Sequence, residues 1–159
     1  MTYNKILVPF DSSKPSETAL EHAIKIAKMS GISSANSTVN VILLHVVQQI
    51  PVPSTFGFGL FKSSKTENMV NLEQYLQDIT LEIKSDIEKM FKEKVEKYKN
   101  IENFSLQSQV LIGNPSDEKV DLIIIGTTGL TGIKKIRAIG SVARNVSEKV
   151  ECPVMLVRN

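Results

Sequence analysis

Apolar residues recur along this chain in two rhythms. Apolar-rich runs at Lys5–Phe10 (KILVPF), Val39–Val47 (VNVILLHVV), Leu122–Ile125 and Pro153–Val157 (PVMLV) read as strands, and the more polar Leu106–Ile112 (LQSQVLI) reads as another. The near-continuous apolar character of Val39–Val47 predicts cover on both faces, as in a parallel sheet. Between them, apolar positions fall three or four apart. Ala19, Leu20, Ala23, Ile24 and Ala27 predict a helix entered through DSSKPS, capped by Ser13, with Pro15 in its first turn and Gly31 at its end. Leu72, Leu76, Ile79, Ile83, Ile87, Met90 and Tyr98 predict a long helix over 66–99 with a Glu/Lys-rich back. Ser141–Val150 predicts a third helix. The segment Gln48–Ser64 is apolar but broken by Pro and Gly, which predicts a functional or partner-facing loop.

Strands that alternate with helices predict right-handed βαβ units and a parallel sheet. Such sheets bind ligands beyond the carboxyl ends of their strands, where the winding reverses. The residues expected to matter are therefore Pro9 to Ser12, His45 to Val47, Gly113 and Asn114, and Gly126 onward.

Composition narrows the choices. A length of 159 residues predicts one domain with a real core. The formal net charge of +2 gives no concentrated basic face for nucleic acid, and the absence of Trp leaves no case for base-stacking platforms. The single cysteine, Cys152, forms no internal disulfide, and no Cys/His cluster has zinc spacing. The apolar run in MTYNKILVPFD is too short for a signal peptide, and no run has the length of a membrane span. These features predict a cytoplasmic protein that does not engage membranes.

The stretch DLIIIGTTGLTGIKKIRAIGS carries the candidate chemistry. A turn over Gly126–Gly129 can present consecutive N–H groups to an anion, with hydroxyls from Thr127, Thr128 and Thr131 beside it. Gly140 precedes Ser141, where a helix N-terminus offers unpaired amides to a phosphate. Lys134, Lys135 and Arg137 lie between the two and can add charge. Neither the Walker A spacing nor the Gly-x-Gly-x-x-Gly fingerprint is present, because Gly126, Gly129 and Gly132 are spaced by three. Glycines that serve only tight turns account for the same pattern.

The order KILVPFDSS, VILLHVV, VLIGNPSDE, DLIIIGTTGLTG and GSVARNVSEKVECPVMLV resembles the universal stress protein family over nearly the whole chain. The resemblance implies an α/β fold: a Rossmann-like (adenine nucleotide alpha hydrolase-like) open parallel five-stranded sheet, order 3-2-1-4-5, with helices on both faces. It implies a single domain over 1–159 and a homodimer through Pro153–Val157, a short apolar edge strand that invites pairing. The family's nucleotide-binding branch implies ATP in the cleft, with Mg or Mn bound through the phosphates. By position, Pro9 and Asp11 would sit by the adenosine, and Val46 would contact the adenine through its backbone. Gly126, Gly129, Gly140, Ser141 and Val142 would form the phosphate and ribose site, with Thr127 and Thr128 in the same turn. Asp11 can equally serve as a turn or N-cap residue of the first helix.

Two features depart from the family pattern. The signature has nine residues between its second and third glycines, and this chain has ten, Leu130 to Ile139. A crossover helix is expected between the third and fourth strands, and only Gly113 to Val120 joins them. A stretched link, a displaced third strand or an absent helix is the expectation, with one face of the sheet partly bare or covered by a neighbour. His45 reads as a hydrogen-bonded core histidine, His22 as exposed and Cys152 as inert. No Ser/His/Asp set or carboxylate pair can be assembled, so the expected role is regulatory, in the stress response, with no or slow ATP hydrolysis. The alternatives are a non-nucleotide dimerisation or chaperone-like module, and a weak ATPase.

Overall fold

The computed structural model describes residues 3–33, 38–48, 66–101, 104–113, 119–127 and 139–158, and the side chains among them except at 32–33 and 66–73. The apolar runs become β1 (Lys5–Pro9), β2 (Val39–Val47), β3 (Phe104–Ile112), β4 (Leu122–Gly126) and β5 (Val154–Val157). The helices are α1 (Lys14–Ser33), α2 (Thr66–Tyr98) and α3 (Ser141–Lys149). All strand pairs are parallel, and the sheet order is β3-β2-β1-β4-β5.

Side chains leave the two faces of the sheet alternately. One face, carrying Ile6, Val8, Val41, Leu43, Leu106, Leu122 and Ile124, packs against α1 and the C-terminal half of α2. The other, carrying Ile123 and Ile125, packs against Ala143 and Val146 of α3. α1 starts as its sequence dictates. The Ser13 carbonyl accepts from the Glu17 amide, and its hydroxyl accepts from the Ser16 amide. The helix does not stop at Gly31, which lies buried within it, two residues before the end.

α2 corrects the predicted stripe. Its buried line runs through Thr80 and Phe91, with Ile87, Val95 and Tyr98 packed beside the core, while Ile83 and Met90 are exposed. Phe91 is fully buried, edge-on to the rings of Phe10 (centroids 5.6 Å apart) and His45 (6.3 Å). Lys94 pairs with Glu17 of α1 and stands over the Phe10 ring, so α2 is fixed to the β1–α1 corner.

A displaced third strand does not occur. β3 pairs with β2 over nine residues, from Val39↔Phe104 to Val47↔Ile112. On the α3 face, Ile42 is buried, but the β3 row there runs Ser105, Gln107 and Gln109 before Leu111, and the Ser105 hydroxyl bonds the exposed Asn40 side chain. The polar row explains how edge strand β3 is stable where α3 is the sole described helix on that side. Asn114 and most of the Gly113–Val120 link lie outside the described residues.

Candidate functional site

The sheet opens at its carboxyl edge on both sides of β1. In a parallel ladder a residue's N–H and C=O point to one neighbour, and the next residue's to the other. Even-numbered residues of β1 face β2, as the bonds Asn40 N–H to Asn4 O and Phe10 N–H to Leu44 O establish. Odd-numbered ones face β4, as Asp121 N–H to Lys5 O shows. Pro9 therefore lacks its N–H on the β4 side. Pairing between β1 and β4 extends only over Ile6↔Leu122 and Leu7↔Ile123. This is the point where the winding reverses.

After Pro9 the chain turns. The Asp11 carboxylate accepts from the Ser13 amide, and Ser12 takes the left-handed conformation, φ 63°. Asp11 is half-buried beside the opening, in the turn role that its position before α1 allows. On the neighbouring strand, Val47 O accepts from Gly113 N–H, so the odd residues of β2 face β3. Val46 consequently turns its N–H and C=O toward β1, one step past the end of that strand.

On the other side of the opening, the ends of β4 and α3 meet. Thr127 O accepts from Gly140 N–H at 2.7 Å, and Thr127 N–H donates to Val157 O at 2.9 Å. Thr127 and Gly140 thus meet, and the amides of both are engaged. Thr127 is buried. Gly126 is explained by packing: a Cβ there would stand 2.6 Å from the Pro15 Cβ and 2.8 Å from its carbonyl carbon. Gly140 is the N-cap of α3 and supplies no side-chain cap. The first helical bond is Arg144 N–H to Gly140 O, which leaves the amides of Ser141, Val142 and Ala143 in the uncapped first turn. Ser141 and Val142 are exposed, and Val142 is 63% accessible.

Of the predicted residues, Pro9, Asp11, Val46, Gly126, Thr127, Gly140, Ser141 and Val142 all lie at this edge. Thr128, Gly129, Lys134, Lys135 and Arg137 lie outside the described residues. His45, read as a hydrogen-bonded core histidine, is half-buried, and its Nδ1 meets the Phe10 carbonyl at 2.8 Å, a partner that no local pattern names. His22 is exposed, and Cys152 is a half-buried free thiol. Among the described residues no group of three or more His, Cys, Asp or Glu side chains is placed to hold a metal ion. No described helix is long and apolar enough to cross a membrane.

An open parallel sheet with its winding reversal between β1 and β4, and a helix N-terminus facing that edge, defines a doubly wound, Rossmann-like α/β protein. The chain belongs to the universal stress protein family, whose profile matches residues 2–158. It is 31% identical to universal stress protein MJ0577 of Methanocaldococcus jannaschii, over 98% of this chain and 95% of that one. It is 27% identical to universal stress protein YxiE of Bacillus subtilis, over 98% and 99%. Among solved structures, UspA from Lactobacillus plantarum superposes with a TM-score of 0.74 at 20% identity, covering 99% of each chain. The structure of MJ0577 superposes with a TM-score of 0.71 at 25% identity, covering 100% of this chain and 98% of that one.

Proposed function

We propose that this universal stress protein binds ATP at the carboxyl edge of β1, β2 and β4 and acts as a regulatory homodimer. The observation that carries the reading is the arrangement at this edge. A backbone donor and acceptor at Val46 lie on one side of the opening, and an uncapped helix N-terminus at Ser141–Ala143 lies on the other. The first suits the edge of a nucleobase and the second suits a phosphate. Asp11, at the turn between them, is placed to accept from a ribose hydroxyl. The resemblance to the nucleotide-binding branch, through Gly126, Gly129, Gly140 and Ser141, agrees with this assignment.

Within this reading, the engaged amides of Thr127 and Gly140 make them supports of the pocket. The phosphate donors are the first-turn amides of α3, together with Gly129. ATP supplies the charge that an Mg²⁺ or Mn²⁺ ion would bind, so the protein holds the metal through the phosphates. The role in this reading is binding rather than fast turnover. Residues 1–159 act as one domain, in the cytoplasm. The dimer forms along the outer edge of β5, where Met155 and Leu156 are exposed.

Equilibrium titration of the purified protein with ATP and Mg²⁺ tests the proposal. Saturable binding below about 1 mM is expected, and none at that concentration rejects it. Gly140→Asp provides the specific control. Asp is a favourable N-cap, so the fold is retained, but its carboxylate occupies the place where a phosphate would sit. ATP binding should fall at least about tenfold with no loss of thermal stability.

A further inference from the structure

The β1–β2 ladder stops one step early for a specific reason. Its register is set by Asn40 N–H to Asn4 O and by Phe10 N–H to Leu44 O. Continued by one step, it would place Val46 N–H on Phe10 O, and Ser12 N–H on Val46 O. Neither bond forms. Ser12, at φ 63°, leaves the strand direction, and Phe10 O instead meets His45 Nδ1 at 2.8 Å. A carbonyl only accepts, so Nδ1 carries the hydrogen and donates it. The imidazole is held in place by its edge contact with the buried Phe91 ring, 6.3 Å between centroids and 89° between planes.

We infer that His45 is a positioning and specificity residue for the nucleobase. By giving Phe10 O a side-chain donor, it keeps that carbonyl from closing on Val46, whose N–H and C=O then stand side by side for a base. This deepens the ATP-binding reading above and rests on it. The chemistry also selects the base. Adenine presents an acceptor, N7, next to a donor, the N6 amino group, and so matches the N–H and C=O of Val46. Guanine presents two acceptors, N7 and O6, and would set O6 against the Val46 carbonyl. A site built this way rejects the mismatched base because one buried polar group is left unpaired.

Two substitutions separate the donor from the ring. His45→Phe keeps a ring against Phe91 and removes the donor. His45→Asn loses the ring but keeps an N–H donor at the position of Nδ1. In the ligand-free wild-type protein, hydrogen exchange at the Val46 amide should be at least about a hundredfold faster than at Leu44, which lies within the ladder. His45→Phe should slow Val46 exchange at least about tenfold as the ladder closes, and should reduce the ATP-over-GTP preference from at least about tenfold to near unity. His45→Asn should retain both the fast exchange and the preference.

A wild-type Val46 amide as protected as Leu44 overturns the inference, and this measurement requires no variant to fold. So does a His45→Phe protein that keeps both fast Val46 exchange and the ATP preference. Exchange as expected, with no ATP bound by the wild type, overturns the nucleotide reading while establishing the hold of His45 on the ladder.

Discussion

At Gly126 the sheet and helix α1 approach so closely that the missing Cβ is a structural requirement. The nearest atoms to an added methyl belong to Pro15, two of them backbone, and they stand 2.6 to 3.0 Å away. A rigid proline in the first turn of a capped helix cannot yield as a flexible side chain would. Gly126→Ala is expected to destabilise the protein by about 1–3 kcal/mol in urea unfolding, through overpacking and not through loss of ligand. The glycine itself was plain in the sequence. Its reason was not, because Pro15 reaches it only after the chain has folded back across the sheet. Asp11 shows the opposite case. A carboxylate in DSSKPS suggested both a turn and a ligand contact, and the bond to the Ser13 amide establishes the turn role directly.

At the scale of the element, α2 is longer than the sheet beneath it. Its 33 residues span roughly 50 Å, against about 30 Å for the nine residues of β3, so part of the helix overhangs the strands. Tyr75 and Leu81 are exposed in the N-terminal half, while Phe91 is fully buried in the C-terminal half. The helix is therefore anchored at one end. Phe91→Ala should cost about 3–5 kcal/mol, because it empties a closed site between Phe10 and His45, and thermal or denaturant unfolding would record the loss. The existence and length of this helix were legible from apolar spacing. Its buried face was legible in part: Ile87 and Tyr98 of the expected row pack against the core, but that row runs through Met90, and the adjacent Phe91 is the buried residue. The partners across the sheet, Phe10 and His45, decide between them. The strands were legible for a simpler reason: residues such as Ile123, Ile124 and Ile125 are apolar on consecutive positions, and both faces are covered there.

Across the whole molecule, the order of the strands was not written in any local pattern. Periodicity gave alternating strands and helices, and the resemblance to a family supplied 3-2-1-4-5, which the structure shares. That order leaves β3 and β5 at the edges. β3 carries polar side chains on one face, whereas β5 exposes Met155 and Leu156, at 38% and 36%. Self-association is accordingly expected at β5. Light scattering should report about twice the 17.6 kDa chain mass, and Leu156→Lys should shift the protein toward the monomer by placing a charge along the shared edge. A Gln107→Lys control on β3 should leave the mass unchanged.

The polar row of β3 also restricts how this architecture can be altered. Grafting an amphipathic crossover helix between Ile112 and Leu122 would bring an apolar face down on Ser105, Gln107 and Asn40, polar groups that it would desolvate. Loop length and strand chemistry are thus linked on this side, and an engineered insertion would need Val or Ile at those three positions to be accommodated.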